Sequence, residues 1–179
     1  MAKSGSFVAD VQALRKRARE HMDAGAVTSN YEGDVATTIK ILNEALATEI
    51  VCVLRYKYHA VAAVGIDSEA VKEEFAQHAR DEAEHADMIS ERINQLGGKP
   101  NLNPDGLVTR ASTQYVEGDT LRSMIEEDLV AERIAIETYR EMIRHFSNHD
   151  PTTRKMLETI LAKEEEHAND MHDLLVSRQ

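Results

Sequence analysis

The sequence predicts an all-α protein: a four-helix bundle of two antiparallel helix pairs joined by a long crossover, preceded by an N-terminal helix. Three observations carry this reading. Apolar residues recur at alternating intervals of three and four along four long stretches, which puts them on one helix face. The 179 residues contain only three prolines and eight glycines, few for an all-β fold. Two of the connections between the long stretches are short, and the one between them is long, the signature of paired helices with one crossover.

A first helix is predicted over residues 7–24, amphipathic and stopped by Gly25, with a polar stretch following it. A second is predicted over 34–64, with Ile39, Leu42, Leu46, Glu49, Val53 and Tyr56 along its seam. Gly65 is its stop and Asp67 the expected N-cap of the third helix, which runs over 68–96 to the pair Gly97 and Gly98. Its seam is Val71, Phe75, His78, Glu82, His85 and Ile89. The stretch 99–118, with Pro100, Pro104 and Gly106, is too long for an ordinary loop and is read as the crossover. The fourth helix covers 119–146, with the seam Ile125, Leu129, Glu132, Ile136, Tyr139 and Ile143. The fifth starts at Pro151 with Asp150 as its cap. It carries Leu157, Ile160, Glu164, His167, Met171 and Leu174. Residues 1–33 are thus an N-terminal helical extension and 34–179 the bundle.

Composition limits the function. Hydrophobic residues at 42 % and charged residues at 30 % describe a soluble globular chain rather than a membrane protein, and no apolar run reaches the length of a span. A net charge of -11 argues against a surface that generally coats nucleic acid and suits the attraction of cations. The single cysteine, Cys52, excludes an intrachain disulfide framework and any all-cysteine metal site, and fits a reducing cytoplasm.

The chemistry lies where the seams cease to be apolar. Glu49, Glu82, Glu132 and Glu164 interrupt them near the middle of each helix, and His85 and His167 follow two of these carboxylates by three positions. That spacing aims Glu and His from one helix at one point. Burying an ionised carboxylate costs several kcal/mol unless it is paired or binds metal. Four carboxylates cannot neutralise one another, whereas two divalent cations can. The halves repeat: Glu82 follows Glu49 by 33 residues, Glu164 follows Glu132 by 32, and Tyr56 and Tyr139 each follow their glutamate by seven. For Tyr56 a hydrogen bond to the site and plain packing both stay open, while Tyr139 is read as packing. A mixed imidazole and carboxylate set suits iron or manganese better than a thiolate-seeking metal.

One Glu from each of two helices plus Glu-x-x-His from each of the other two is the pattern of ferritin-like di-metal carboxylate proteins. Over residues 34–175 the chain resembles that family, most of all its bacterioferritin branch. The resemblance implies two Fe ions per subunit. Glu49 and His85 would be terminal ligands to one iron, Glu132 and His167 to the other, with Glu82 and Glu164 bridging and Tyr56 beside the centre. It implies a ferroxidase that oxidises Fe(II) with O2 or H2O2 and stores the product in a homo-oligomeric shell of 12 or 24 subunits. Haem of the bacterioferritin type is not expected, because Ala83 stands where that branch places a methionine. The alternatives are a rubrerythrin-like peroxidase without iron storage, against which the absence of Cys-x-x-Cys pairs counts, and a Dps-like DNA-protecting shell, against which the net charge counts. His78 is read first as a structural histidine, with a supporting partner or accessory iron ligand as the alternative; Asp81 and Glu84 either line an inner iron surface or form a solvated helix face; Cys52 is read as buried and inert. Arg15, Lys16, Arg17 and Arg19 are read as an exposed helix face.

Overall fold

The computed structural model describes residues 10–65 and 68–176, and every regular element among them is helical. Short α1 (Val11–Arg17) and a 3-10 turn (Met22–Ala24) precede α2 (Val35–Ala62) and α3 (Ser68–Gln95). A four-residue α4 (Leu107–Arg110) interrupts the crossover, and α5 (Leu121–Phe146) and α6 (Pro151–Val176) complete the bundle. The four long helices span 26 to 28 residues each, about 40 Å at 1.5 Å per residue. None of the described helices is long and apolar enough to cross a membrane.

The helix ends follow local chemistry. Asp34 caps α2 by accepting from the Ala36 amide. Asp150 caps α6 as expected, accepting from the Thr153 amide at 2.9 Å with Pro151 at the first position. Thr120 and Ser123 close a reciprocal cap on α5, so this helix starts two residues later than its composition suggests. After α3, Gly97 takes φ +79°, and the Gly98 amide bonds back to Ile93 O. A Cβ at Gly98 would come within 2.8 Å of the Ile39 side chain, so glycine lets the chain turn against α2. The expected cap Asp67 lies outside the described residues.

Helices α2 and α3 pack as one antiparallel pair and α5 and α6 as the other, with α2 meeting α5 and α3 meeting α6. The crossover runs along α2, where Leu107 of α4 packs on Ala47 and Val51. Two apolar layers fill the bundle. One is built on Leu42, Leu46, Ile89, Ile93, Phe146, Leu157 and Ile160. The other is built on Val71, Phe75, Met124, Ile125 and Met171. Each large buried side chain contributes about 1.5–3 kcal/mol, so the layers secure the bundle and leave the space between them for polar groups.

Two expectations are corrected. The first helix ends at Arg17 rather than at residue 24 and buries no side chain; residues 7–9 lie outside the described part. On α5 the seam passes through Asp128, which is fully buried, and Leu129 is only partly covered. The spacing of three and four fits both positions, and buried partners decide between them: Asp128 faces Arg55 and His59 of α2, at 2.7 Å each.

Candidate metal centre

Between the two apolar layers lies a polar one. Glu49 from α2, Glu82 and His85 from α3, Glu132 from α5, and Glu164 and His167 from α6 are all buried there. Each helix delivers its ligand-type residues near its middle, where periodicity turns them inward and where backbone fraying is least.

Donor atoms fall into two groups, each confined within 4.8 Å. Glu49, Glu82, His85 and Glu164 form one; Glu82, Glu132, Glu164 and His167 form the other. Glu82 and Glu164 belong to both, so the six side chains make a double site with two shared carboxylates. His85 Nδ1 lies 2.9 Å from Glu164, 3.2 Å from Glu49 and 3.3 Å from Glu82. His167 Nδ1 lies 3.4 Å from Glu82 and 3.8 Å from Glu164.

The hydrogen-bond census tests whether metal fits. One ring nitrogen offers at most one hydrogen, yet three carboxylates converge on His85 Nδ1. Glu82 Oε1, Glu132 Oε2, both oxygens of Glu164 and His167 Nδ1 are buried without a hydrogen-bond partner. Buried polar atoms left unpaired cost about 1–3 kcal/mol each. Two divalent cations bound by these atoms would satisfy them and balance the carboxylate charge, so the residues fit a di-metal centre.

Without cations, protons must do the balancing. Burial, and then the neighbouring Glu82 and Glu164, push Glu49 and Glu132 well above the usual carboxylate range. Burial also opposes ionisation of Glu82, yet the His167 and His85 imidazoles set against it hold its carboxyl below its ordinary value. His167 is disfavoured as a cation by burial, but Glu164 and Glu82 outweigh this and raise it to about 10. His85 is raised further by the same kind of contact.

A surrounding shell positions these side chains. Tyr56 donates its hydroxyl to Glu132, the open hydrogen-bond reading of that residue. Tyr139 donates to Glu49, which corrects its reading as plain packing. Each tyrosine lies in one repeat and serves the glutamate of the other, so only the closed bundle reveals the contact. Asp81, for which the sequence leaves an iron-lining and a solvated position both open, lies 3.2 Å from His167 Nε2 and accepts from it, which directs Nδ1 into the site. Glu84 is exposed. His78 is buried, as expected of a structural histidine, but it stacks on His167 with ring centroids 3.9 Å apart and meets the Tyr56 hydroxyl at 3.2 Å. Cys52 is buried, and burial pushes its thiol well above the ordinary range.

Sequence reasoning missed the buried Arg55, His59 and Asp128 network next to the centre. Arg55 Nη1 also donates to Gln114 O at 2.8 Å and His59 Nε2 meets Glu117 O at 2.8 Å, so the network fastens the crossover to α2. The available signal was spacing: His59 follows Tyr56 by three positions and Asp128 precedes Glu132 by four, each in seam register.

Comparison with known proteins gives the same architecture. The family model of the ferritin-like domain matches residues 39–178. The nutrient stress-induced DNA-binding protein of Synechococcus sp. is 32 % identical over 130 residues, covering 71 % of this chain and 74 % of its own. The bacterioferritin of Desulfovibrio desulfuricans is 28 % identical over 142 residues, covering 79 % of this chain and 75 % of its own. Among solved structures, the dodecameric thioferritin from Bacteroides fragilis, a bacterioferritin-related protein, superposes with a TM-score of 0.78 at 33 % identity, over 82 % of this chain and 88 % of that one. With its all-helical bundle and the match spanning most of its length, this chain belongs to the ferritin-like family.

Proposed function

We propose that the chain is a di-iron ferroxidase that oxidises Fe(II) with O2 or H2O2 and stores the product within a homo-oligomeric shell. The observation that carries this reading is the pair of donor groups sharing Glu82 and Glu164, with unpaired buried oxygens aimed between them. Glu49 and His85 would hold one iron, Glu132 and His167 the other, and Glu82 and Glu164 would bridge. Two Fe(II) in this centre supply one electron each to the oxidant.

The protein's part is positional. His85 and His167 give up their protons as metal binds, so loading is coupled to proton release. Tyr56 and Tyr139 fix one oxygen of Glu132 and Glu49 and so present the other. Asp81 keeps the His167 proton on Nε2 and leaves the Nδ1 lone pair for metal. The apolar layers above and below keep bulk water from the carboxylates and strengthen their pull on a cation.

The shell reading draws on the dodecameric bacterioferritin-related neighbour and on exposed apolar side chains. Leu54 and Val61 on α2 and Val64 just after it, with Val108 and Tyr115 on the crossover, are at least 38 % exposed on the single chain. Apolar groups so placed suit burial between copies. Twelve subunits is the favoured number, and the cytoplasm the favoured setting.

One experiment tests the reaction and its storage role. The apo-protein is loaded with Fe(II) in air, oxidation is followed optically, and retained iron is measured after size-exclusion chromatography. Loss of rapid oxidation in Glu82→Ala with Glu164→Ala is expected, and an unchanged rate would sink the di-iron mechanism. Retention of only about two irons per chain, the capacity of the centre alone, would leave a ferroxidase without storage, the rubrerythrin-like alternative.

A second reading, protection of DNA, has one observation in its favour besides the name of the Synechococcus relative: α1 is exposed and carries Arg15, Lys16 and Arg17 in its last turn. Gel retardation at low salt tests it. Binding that vanishes with added salt and with Arg15, Lys16 and Arg17 changed to Ser supports it, and no retardation removes it.

A further inference from the structure

Beside the centre a second set of ligand-type side chains converges. His78 Nε2 lies 3.3 Å from Glu74 Oε1 and 3.5 Å from Asp170 Oδ2. Glu74 and His78 are one turn apart on α3, and Asp170 sits one turn beyond His167 on α6. The three donor atoms lie within 4.8 Å of one another. The His78 side chain is 2 % exposed, whereas those of Glu74 and Asp170 are 41 % and 40 % exposed, so this space opens to solvent at one side and ends on a buried imidazole at the other.

The hydrogen bonds give this space its polarity. A tyrosine hydroxyl has one hydrogen. Tyr56 gives it to Glu132, and its oxygen is then left as an acceptor 3.2 Å from His78 Nδ1. A neutral His78 therefore carries its proton on Nδ1 and its lone pair on Nε2. That buried lone pair points between two carboxylates, three acceptors with no donor among them. The route of the cation into the centre rests on the di-metal reading, whereas the Tyr56 contact with Glu132 is made within the bundle itself.

We propose that Glu74, His78 and Asp170 form a third, mononuclear divalent-cation site that holds Fe(II) on its way into the di-iron centre. One imidazole and two carboxylates suit Fe(II) and its divalent neighbours, and three protein ligands leave positions for water. Two half-exposed carboxylates make the site easy to enter and to leave. The surroundings draw cations in: Asp170 faces the charges of Glu166 and Asp173, and Glu74 those of Glu73 and Asp81. Nearby Lys163 is tied to Glu166 at 2.8 Å. The link to the centre is His78 itself, which also groups with Glu132 and His167 within 4.8 Å.

Calorimetric titration of Co(II) into the full, metal-stripped chain counts the sites. Wild type is expected to take one more Co(II) per chain than Glu74→Gln with Asp170→Asn. Equal counts overturn the third site and mean that His78 is an imidazolium paired to both acids. The Glu82→Ala, Glu164→Ala chain is the separate control: it should lose the two Co(II) of the centre and keep the third. If it loses none, the di-metal centre fails while the difference at Glu74 and Asp170 still stands. Both test positions are half-exposed, so the bundle is retained; Asp170→Asn alone serves as a second variant with the same expected loss. For transit, Glu74→Gln with Asp170→Asn should oxidise Fe(II) at the wild-type rate when iron saturates and about tenfold slower when iron is limiting, the size of an electrostatic capture effect. An unchanged rate at limiting iron overturns the transit role.

Discussion

Tyr139 of α5 donates its hydroxyl to Glu49 of α2, and this contact crosses between the two repeated halves of the bundle. Tyr56 makes the reciprocal contact with Glu132. A buried carboxylate of each half is therefore held by the other half. Tyr139→Phe removes only the hydroxyl and leaves the ring packed. The expected result is iron oxidation about tenfold slower, the usual scale for a group that orients a metal ligand, with the thermal midpoint of the metal-free protein little changed. Tyr56→Phe should show a loss of the same order. Stopped-flow oxidation of both variants checks this, and a wild-type rate in Tyr139→Phe would reduce the contact to packing.

Glu132 is driven towards its neutral form by burial and by Glu82 and Glu164. Glu132→Gln imitates that form. The metal-free protein should then melt close to wild type, while the gain in thermal midpoint on adding Co(II) falls. For a ligand at a hundred times its Kd that gain corresponds to about 2.7 kcal/mol. Differential scanning fluorimetry with and without Co(II) reads both quantities. A metal-free protein that collapses on this substitution would contradict the charge balance described for the centre.

The metal-free protein should be sensitive to pH on both sides of neutrality. His167 is raised from 6.5 to about 10 in the fold, with burial opposed by the stronger effect of Glu164 and Glu82. Its contribution is fully present below 6.5 and is lost as pH rises through about 10. His78 is lowered to about 3, by burial and then by the His167 charge. A histidine lowered in the fold takes up its proton more readily when unfolded, so stability falls as pH drops from 6.5 towards 3. Thermal midpoints across pH 4 to 10 should form a dome in the metal-free protein. Bound metal replaces the protons at the centre and should flatten the alkaline limb; an alkaline limb of equal slope with and without metal would refute the exchange.

Arg55 and Asp128 are 1 % and 0 % exposed and meet at 2.7 Å. Asp128→Ala leaves a guanidinium buried without its partner, which costs about 3–5 kcal/mol. It also releases His59, so the crossover held through Gln114 and Glu117 should loosen. Denaturant unfolding gives the energy, and faster amide exchange around residues 112–118 gives the place. A cost below 1 kcal/mol, the scale of exposed pairs, would mean that water reaches Arg55.

The four long helices, their antiparallel pairing, the crossover and the six ligand-type positions were legible from the residues alone. All of these project onto one helix at a time: a spacing of three and four turns Leu46, Glu49 and Tyr56 to one side, and Glu-x-x-His brings two donors to one point without any neighbour. The cap Asp150 was legible for the same reason. Which side chains meet across helices became fixed when the bundle closed. Closure gave Tyr139 to Glu49, chose Asp128 over Leu129 for the seam, turned Asp81 towards His167, and brought Asp170 of α6 to Glu74 and His78 of α3. These contacts join residues 69 to 96 positions apart. Their energies depend on desolvation and on a partner from another helix, and a local periodicity carries no record of either.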